Sequence, residues 1–167
     1  MKILISACLA GQAVRYDGQA NASKVRHIQQ QLRQWRQQNR LVEVCPELAG
    51  GLPVPRPAAE IIAASGAAVL SGNGVIRTAS GDDVTRPFVT GAQKTLQTAL
   101  QQGAVAALLA ARSPSCGADG IYDGSFSGQI TPGQGVTAAL LEQHGIRCFT
   151  PQQFDLLEQY LLAQDEG

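Results

Sequence analysis

The sequence predicts an α/β fold of Rossmann-like type. A single domain over 1–167 carries a mainly parallel sheet with helices on both faces, and a small β-hairpin insertion lies near 58–80. Two observations lead there. Four short apolar runs, KILISA, RLVEV, VAALLAA and IRCF, are too brief for helices and read as buried strands. Segments of helical periodicity separate them, and a strand–helix–strand order joins neighbouring strands in parallel.

The elements follow in order. Residues 2–7 form the first strand. Residues 23–38 predict a helix, because Val25, Ile28, Leu32 and Trp35 recur at helical spacing, with Ser23 as its cap and Asn39 at its end. Residues 40–44 form the second strand. In 58–80, the runs AAEIIAA, AAVL and VIRTA are broken by Ser, Gly and Asn, which predicts a hairpin with SGNG as its turn. Residues 85–102 form a helix with Phe88, Ala92, Leu96 and Ala99 on one face. Asp83 or Thr85 caps it, and Gly103 stops it. Residues 104–110 form the third strand, 136–144 a short helix opened by GQG, and 146–149 the fourth strand. A last helix starts at Pro151.

Composition narrows the function. The 13 basic and 13 acidic side chains cancel, so no extended nucleic-acid surface is indicated. No apolar stretch is long enough to span a membrane, and the N-terminal run is too short for a signal peptide, which predicts a cytoplasmic protein. In that compartment four cysteines read as thiols or metal ligands rather than disulfides.

Three of the four fall at strand ends. Cys8 follows the first strand, Cys45 ends the second, and Cys116 lies beyond the third in RSPSCG. Ligands of open parallel sheets bind outside the carboxyl ends of the strands, so the three thiols can converge there. Each taken alone also reads as buried packing, as does Cys148 inside the fourth strand. Three thiolates suit a soft metal centre. Zinc needs a fourth ligand or an open position, and His27 and His144 lie within helices rather than at strand ends. A four-iron cluster on three cysteines leaves one iron open, although the ferredoxin spacing is absent.

The neighbouring loops supply candidate partners. Glu47, two residues past Cys45, is placed to move a proton, or is a solvated loop acid. Ser113 and Ser115 flank the Pro114 turn and offer hydroxyls beside Cys116, Ser115 as a substrate contact, or are ordinary loop residues. Arg15 and Arg56 can hold a phosphate, with Asp17 nearby; equally, Arg15 and Asp17 bridge one another. The long Gly-rich loop IYDGSFSGQITPGQGVT ends in Gly133 and Gly135 before Thr137, a helix start able to bind an anion.

SACLAGQAVRYDG, CPELAGGLPVPRPAAEI, GDDVTRPFVTGA, SPSCG, YDGSFSG and GQGVTAALL together resemble the DUF523 family, which includes the thiouracil desulfidases. The resemblance runs in order over nearly the whole chain. It implies that Cys8, Cys45 and Cys116 hold a [4Fe-4S] cluster with one iron unligated by protein, and that Glu47 and Ser113 are catalytic. It further implies a non-redox reaction: thiocarbonyl sulfur binds the open iron, water replaces the sulfur on the ring carbon, and hydrosulfide leaves. The substrate that the resemblance implies is a small thiolated base or nucleotide, 2-thiouracil or 4-thiouridine 5'-monophosphate. Arg15, Arg56 and the helix start favour the nucleotide. Two rivals compete: an iron–sulfur module that carries electrons or senses oxygen without turnover, and a hydrolase with Cys116 as nucleophile, which needs a nearby base such as His27 or His144.

Overall fold

The computed structural model describes residues 1–166. β1 (Lys2–Ser6) begins it, and the predicted helix follows as two pieces, a 3-10 helix over Ala22–Ile28 and α1 over Gln29–Gln37. Val25, Ile28, Leu32 and Trp35 are all buried as the periodicity predicts. Ser23 makes no capping bond, because it lies inside the 3-10 turn that opens after Asn21. Asn39 takes φ 56° beyond the end of α1, a conformation that asparagine tolerates.

β2 (Leu41–Val44) runs straight into α2 (Pro46–Ala49), one turn of helix within the proline-rich stretch. Pro46 opens it where a missing N–H costs nothing. The insertion is a hairpin with a helix inside it. β3 (Ala59–Ile61) pairs antiparallel with β4 (Ile76–Thr78), and α3 (Gly66–Leu70) lies between them. SGNG thus ends α3 instead of joining two strands, since AAVL is helical and Ser65 caps it by accepting from the Ala68 N–H at 3.3 Å.

α4 (Thr85–Gln102) has the predicted bounds, and Gly103 closes it in the left-handed region at φ 71°. Neither candidate makes a formal cap, although the Asp83 carboxylate accepts the Thr85 N–H at 2.9 Å. β5 (Ala104–Leu108) precedes the RSPSCG loop. The long Gly-rich loop contains a second, two-residue hairpin, β6 (Ile121–Tyr122) with β7 (Ile130–Thr131). α5 (Val136–Gln143), β8 (Arg147–Phe149), a 3-10 turn over Pro151–Gln153 and α6 (Phe154–Glu166) complete the chain.

The main sheet is parallel throughout, in the order β2-β1-β5-β8. Successive strand residues face opposite sides. Ile3, Ile5, Ala106 and Leu108 join Leu32, Trp35, Leu157 and Leu161, so α1 and α6 cover one face. Leu4 and Ala107 join Ala99, Ala138 and Leu141, so α4 and α5 cover the other. Cys148 packs in that second layer. The hairpin insertion forms a third cluster with Phe88 and Ala92 of α4. No helix among the described residues is long and apolar enough to cross a membrane.

Candidate active site

The site grows from the register of the central strands. Ser6 ends β1 opposite Val44, the last residue of β2. Cys45 therefore leaves the sheet beside the turn that carries Cys8. The chain leaving β5, the other neighbour of β1, returns Cys116 to the same edge. Cys8, Cys45 and Cys116 line one cavity of about 460 Å³, together with Glu47, Ser113, Arg15 and Arg56. Cys8 and Cys45 are half-buried, whereas Cys116 is only 4% exposed.

The free thiols resist ionisation. Burial pushes Cys8 up to about 11, with further upward contributions from the Glu47 and Cys45 charges. Burial and then Glu47 raise Cys45, and the same two causes, in that order, raise Cys116 well above its ordinary value. Three thiolates beside a carboxylate are thus stable only with positive charge among them, as a metal centre supplies. Among the described residues no trio of His, Cys, Asp or Glu side chains is arranged to hold a single metal ion. An iron–sulfur cluster is held differently, each thiolate on its own iron, and a three-cysteine set suits it.

Each cysteine-bearing loop is pinned. Ser6, which sequence reasoning passed over, donates from its hydroxyl to the Cys116 sulfur at 3.5 Å and accepts the Ala110 N–H at 2.9 Å. Its signal was a hydroxyl at the end of an otherwise apolar strand. Ser113 Oγ accepts the N–H groups of Ser115 at 3.2 Å and Cys116 at 2.7 Å. The loop starts from Arg112 at φ 71°, a left-handed conformation that costs a non-glycine residue energy and needs such bonds to persist. The Cys45 thiol donates to Glu47 Oε2 at 3.5 Å, and Arg56 Nη2 lies 3.8 Å from that oxygen. Arg56 also donates to the carbonyls of Val14 at 3.3 Å and Pro53 at 3.2 Å, which ties the loop after Cys8 to the loop after Cys45.

Several expected substrate contacts lie elsewhere. The N–H groups at the start of α5 are spent: Gly135 donates to Gly117 O, Val136 to Pro114 O, and Thr137 to Ser115 O, at 2.7–2.9 Å. That helix start holds the SPSCG loop, not an anion. Ser115 and Thr137 are sealed from solvent and bond one another through their hydroxyls at 2.7 Å. Gly133 belongs to a separate shallow depression with Gln134 and Pro132. Asp17 is 3.8 Å from Arg15 and accepts the Gln19 N–H at 3.0 Å, but does not line the cavity. Of the residues read as substrate contacts, the cavity therefore keeps Arg15 and Arg56. Glu60 and Phe126 line it as well, and neither was singled out in the sequence.

A thiol-lined crevice at the carboxyl edge of a parallel sheet defines the class as an α/β protein with a sulfur-rich ligand site. The chain belongs to the 2-thiouracil desulfurase family, whose model matches residues 3–153. It is 44% identical over 153 residues to the uncharacterized protein YbbK of Bacillus subtilis (strain 168), covering 92% of this chain and 97% of that one. Its fold is similar to the solved structure of the [4Fe-4S]-dependent thiouracil desulfidase TudS (DUF523), with a TM-score of 0.84 and 42% identity over 97% of this chain and 98% of that one.

Proposed function

We propose that this protein is a [4Fe-4S]-dependent desulfidase that converts a thiolated pyrimidine into its oxo counterpart and hydrosulfide. One observation carries the reading: three thiols from three strand ends share a cavity with an acid and a serine. The family match and the likeness to TudS support it. Cys8, Cys45 and Cys116 would hold the cluster, which supplies a soft Lewis acid suited to sulfur.

The chain's own groups handle the protons. Water adds its oxygen to the ring carbon, the carbon–sulfur bond breaks, and sulfur leaves as hydrosulfide with no change in electron count. Glu47 takes one proton from water and passes it to the departing sulfur, and the second water proton is released to solvent as the carbonyl forms. Both acceptor positions of the Ser113 hydroxyl are taken by backbone N–H groups, so its hydrogen is left to donate toward the substrate. A module that only carries electrons needs neither residue.

The finer choice lies between free base and nucleotide. Arg56 is committed to two carbonyls and lies beside Glu47, and the α5 start is closed, so Arg15 alone remains for a phosphate. The cavity thus favours 2-thiouracil over 4-thiouridine 5'-monophosphate. The test is sulfide release by anaerobically reconstituted protein from 2-thiouracil, 4-thiouridine and its monophosphate. Sulfide with iron-dependent turnover supports the desulfidase, and its absence from all three overturns it. A phosphate that is bound by charge-assisted contacts should raise kcat/KM at least about 10-fold over the nucleoside, and that result would restore the nucleotide.

A further inference from the structure

Glu60 is the second acid of the cavity, and its surroundings differ from those of Glu47. It lies on β3, is 8% exposed, and stands opposite Arg77 across the hairpin. Yet Glu60 is in no ion pair among the described residues. Its Oε1 accepts the backbone N–H groups of Gly124 at 3.0 Å and Phe126 at 3.2 Å. Oε2 makes no hydrogen bond among the described residues. That oxygen is not sealed from solvent either, because Thr95 Oγ1 is the sole sealed, unpaired side-chain oxygen or nitrogen among the described residues.

The bonded loop presents an aromatic ring. Gly124 sits so close to β3 that a Cβ there would meet the Ile61 carbonyl at 2.6 Å. Phe126 follows in the left-handed region at φ 57°, which a phenylalanine adopts only where its surroundings hold it. The bond from its N–H to Glu60 provides that hold. Phe126 lines the cavity and remains 36% exposed. An ordinary core phenylalanine would be covered.

We infer that Oε2 of Glu60 accepts a ring N–H of the substrate while the loop that Glu60 anchors lays Phe126 against the ring face. An oxygen without a hydrogen-bond partner among the described residues, on a side chain that lines the cavity, is open to accept from a bound donor. The thione form of a thiolated pyrimidine carries an N–H beside its thiocarbonyl, on a flat ring suited to an aromatic face. The pair therefore selects planar heterocycles with that N–H and disfavours N-alkylated ones. This assignment rests on the desulfidase reading for the identity of the ring.

The test compares 2-thiouracil with its 1-methyl and 3-methyl derivatives on cluster-loaded protein, and measures uracil affinity by calorimetry. The wild type should disfavour at least one methyl derivative by roughly 10–100-fold in kcat/KM. Glu60→Gln keeps a carbonyl oxygen for the loop but turns an amide N–H toward the ring. It should retain iron, weaken uracil binding by a similar factor, and bring the methyl discrimination close to unity. Phe126→Leu should weaken uracil binding with iron content unchanged. Equal use of all three thiouracils by the wild type overturns the inference without any variant, as does unchanged uracil affinity in Glu60→Gln. If uracil binds in a Glu60-dependent way while no thiouracil yields sulfide, the desulfidase reading fails and the Glu60 assignment stands.

Discussion

Single residues divide the four thiols into two groups. Cys8, Cys45 and Cys116 line the cavity, whereas Cys148 faces the carbonyls of Ala138 at 3.7 Å and Ile146 at 3.6 Å inside a helix-covered layer. Replacing any of the first three by Ala should abolish iron binding, read by metal analysis and visible absorbance after anaerobic reconstitution. Cys148→Ala should keep the iron and lose about 1–3 kcal/mol of stability. Iron lost from Cys148→Ala but kept by Cys8→Ala would reverse the assignment. Glu47→Gln removes the proposed proton carrier and none of the proposed ligands, so iron should remain while turnover falls about 10²–10⁴-fold. Unchanged turnover in a fully loaded Glu47→Gln variant would take Glu47 out of the chemistry.

At the scale of elements, two close approaches position the site. α2 carries Glu47 directly after Cys45, and it lies against α4 where Gly50 meets Pro87 and Gly91 meets Pro46. A Cβ on Gly91 would collide with the Pro46 carbonyl, a backbone atom that cannot move without shifting its neighbours Cys45 and Glu47. Gly91→Ala should therefore cost about 1–3 kcal/mol and lower both cluster retention and turnover. Leu100→Ala, on the exposed side of the same helix at 57% exposure, should leave both near wild type. Normal loading in Gly91→Ala would show that α2 can slide. The second approach joins α5 to the Cys116 loop, where a Cβ on Gly135 would strike the Ser115 carbonyl. The GQG signal was legible in the sequence as a helix start. Its partner was not, because an orphan N–H group pairs with an anion or with a carbonyl equally well, and only the fold brings Pro114 and Ser115 there.

For the whole molecule, alkaline stability reports on the buried thiols. Burial is the main cause that raises Cys148 above its ordinary value of 9.0, followed by the nearby Glu142 charge. Below that value the thiol is neutral in both folded and unfolded chains. Above it the unfolded chain sheds the proton and the folded one holds it, so stability falls as pH rises. Denaturant melts of wild type and Cys148→Ala should therefore converge above pH 9, by up to about 1.4 kcal/mol per pH unit. A gap that stays constant to pH 10.5 would place Cys148 in contact with water.

Taken alone, the sequence determined the strand and helix order and the placing of three thiols at strand ends. Apolar periodicity, Gly103 and the loop-borne cysteines are local signals, and motif order brought the family resemblance. Local chemistry could not tell which side chains face one another. The Ser6–Cys116 contact spans 110 residues, and the Glu60 bonds to the Gly124 and Phe126 N–H groups span 64 and 66. Only the tertiary structure decided that Ser115, Gly135 and Thr137 brace the Cys116 loop away from the cavity, and that Glu60 and Phe126 line the cavity. Parallel strands draw their signals from neighbours along the chain, but their carboxyl edge is assembled from loops far apart in it, so the contents of the crevice follow from register and crossover.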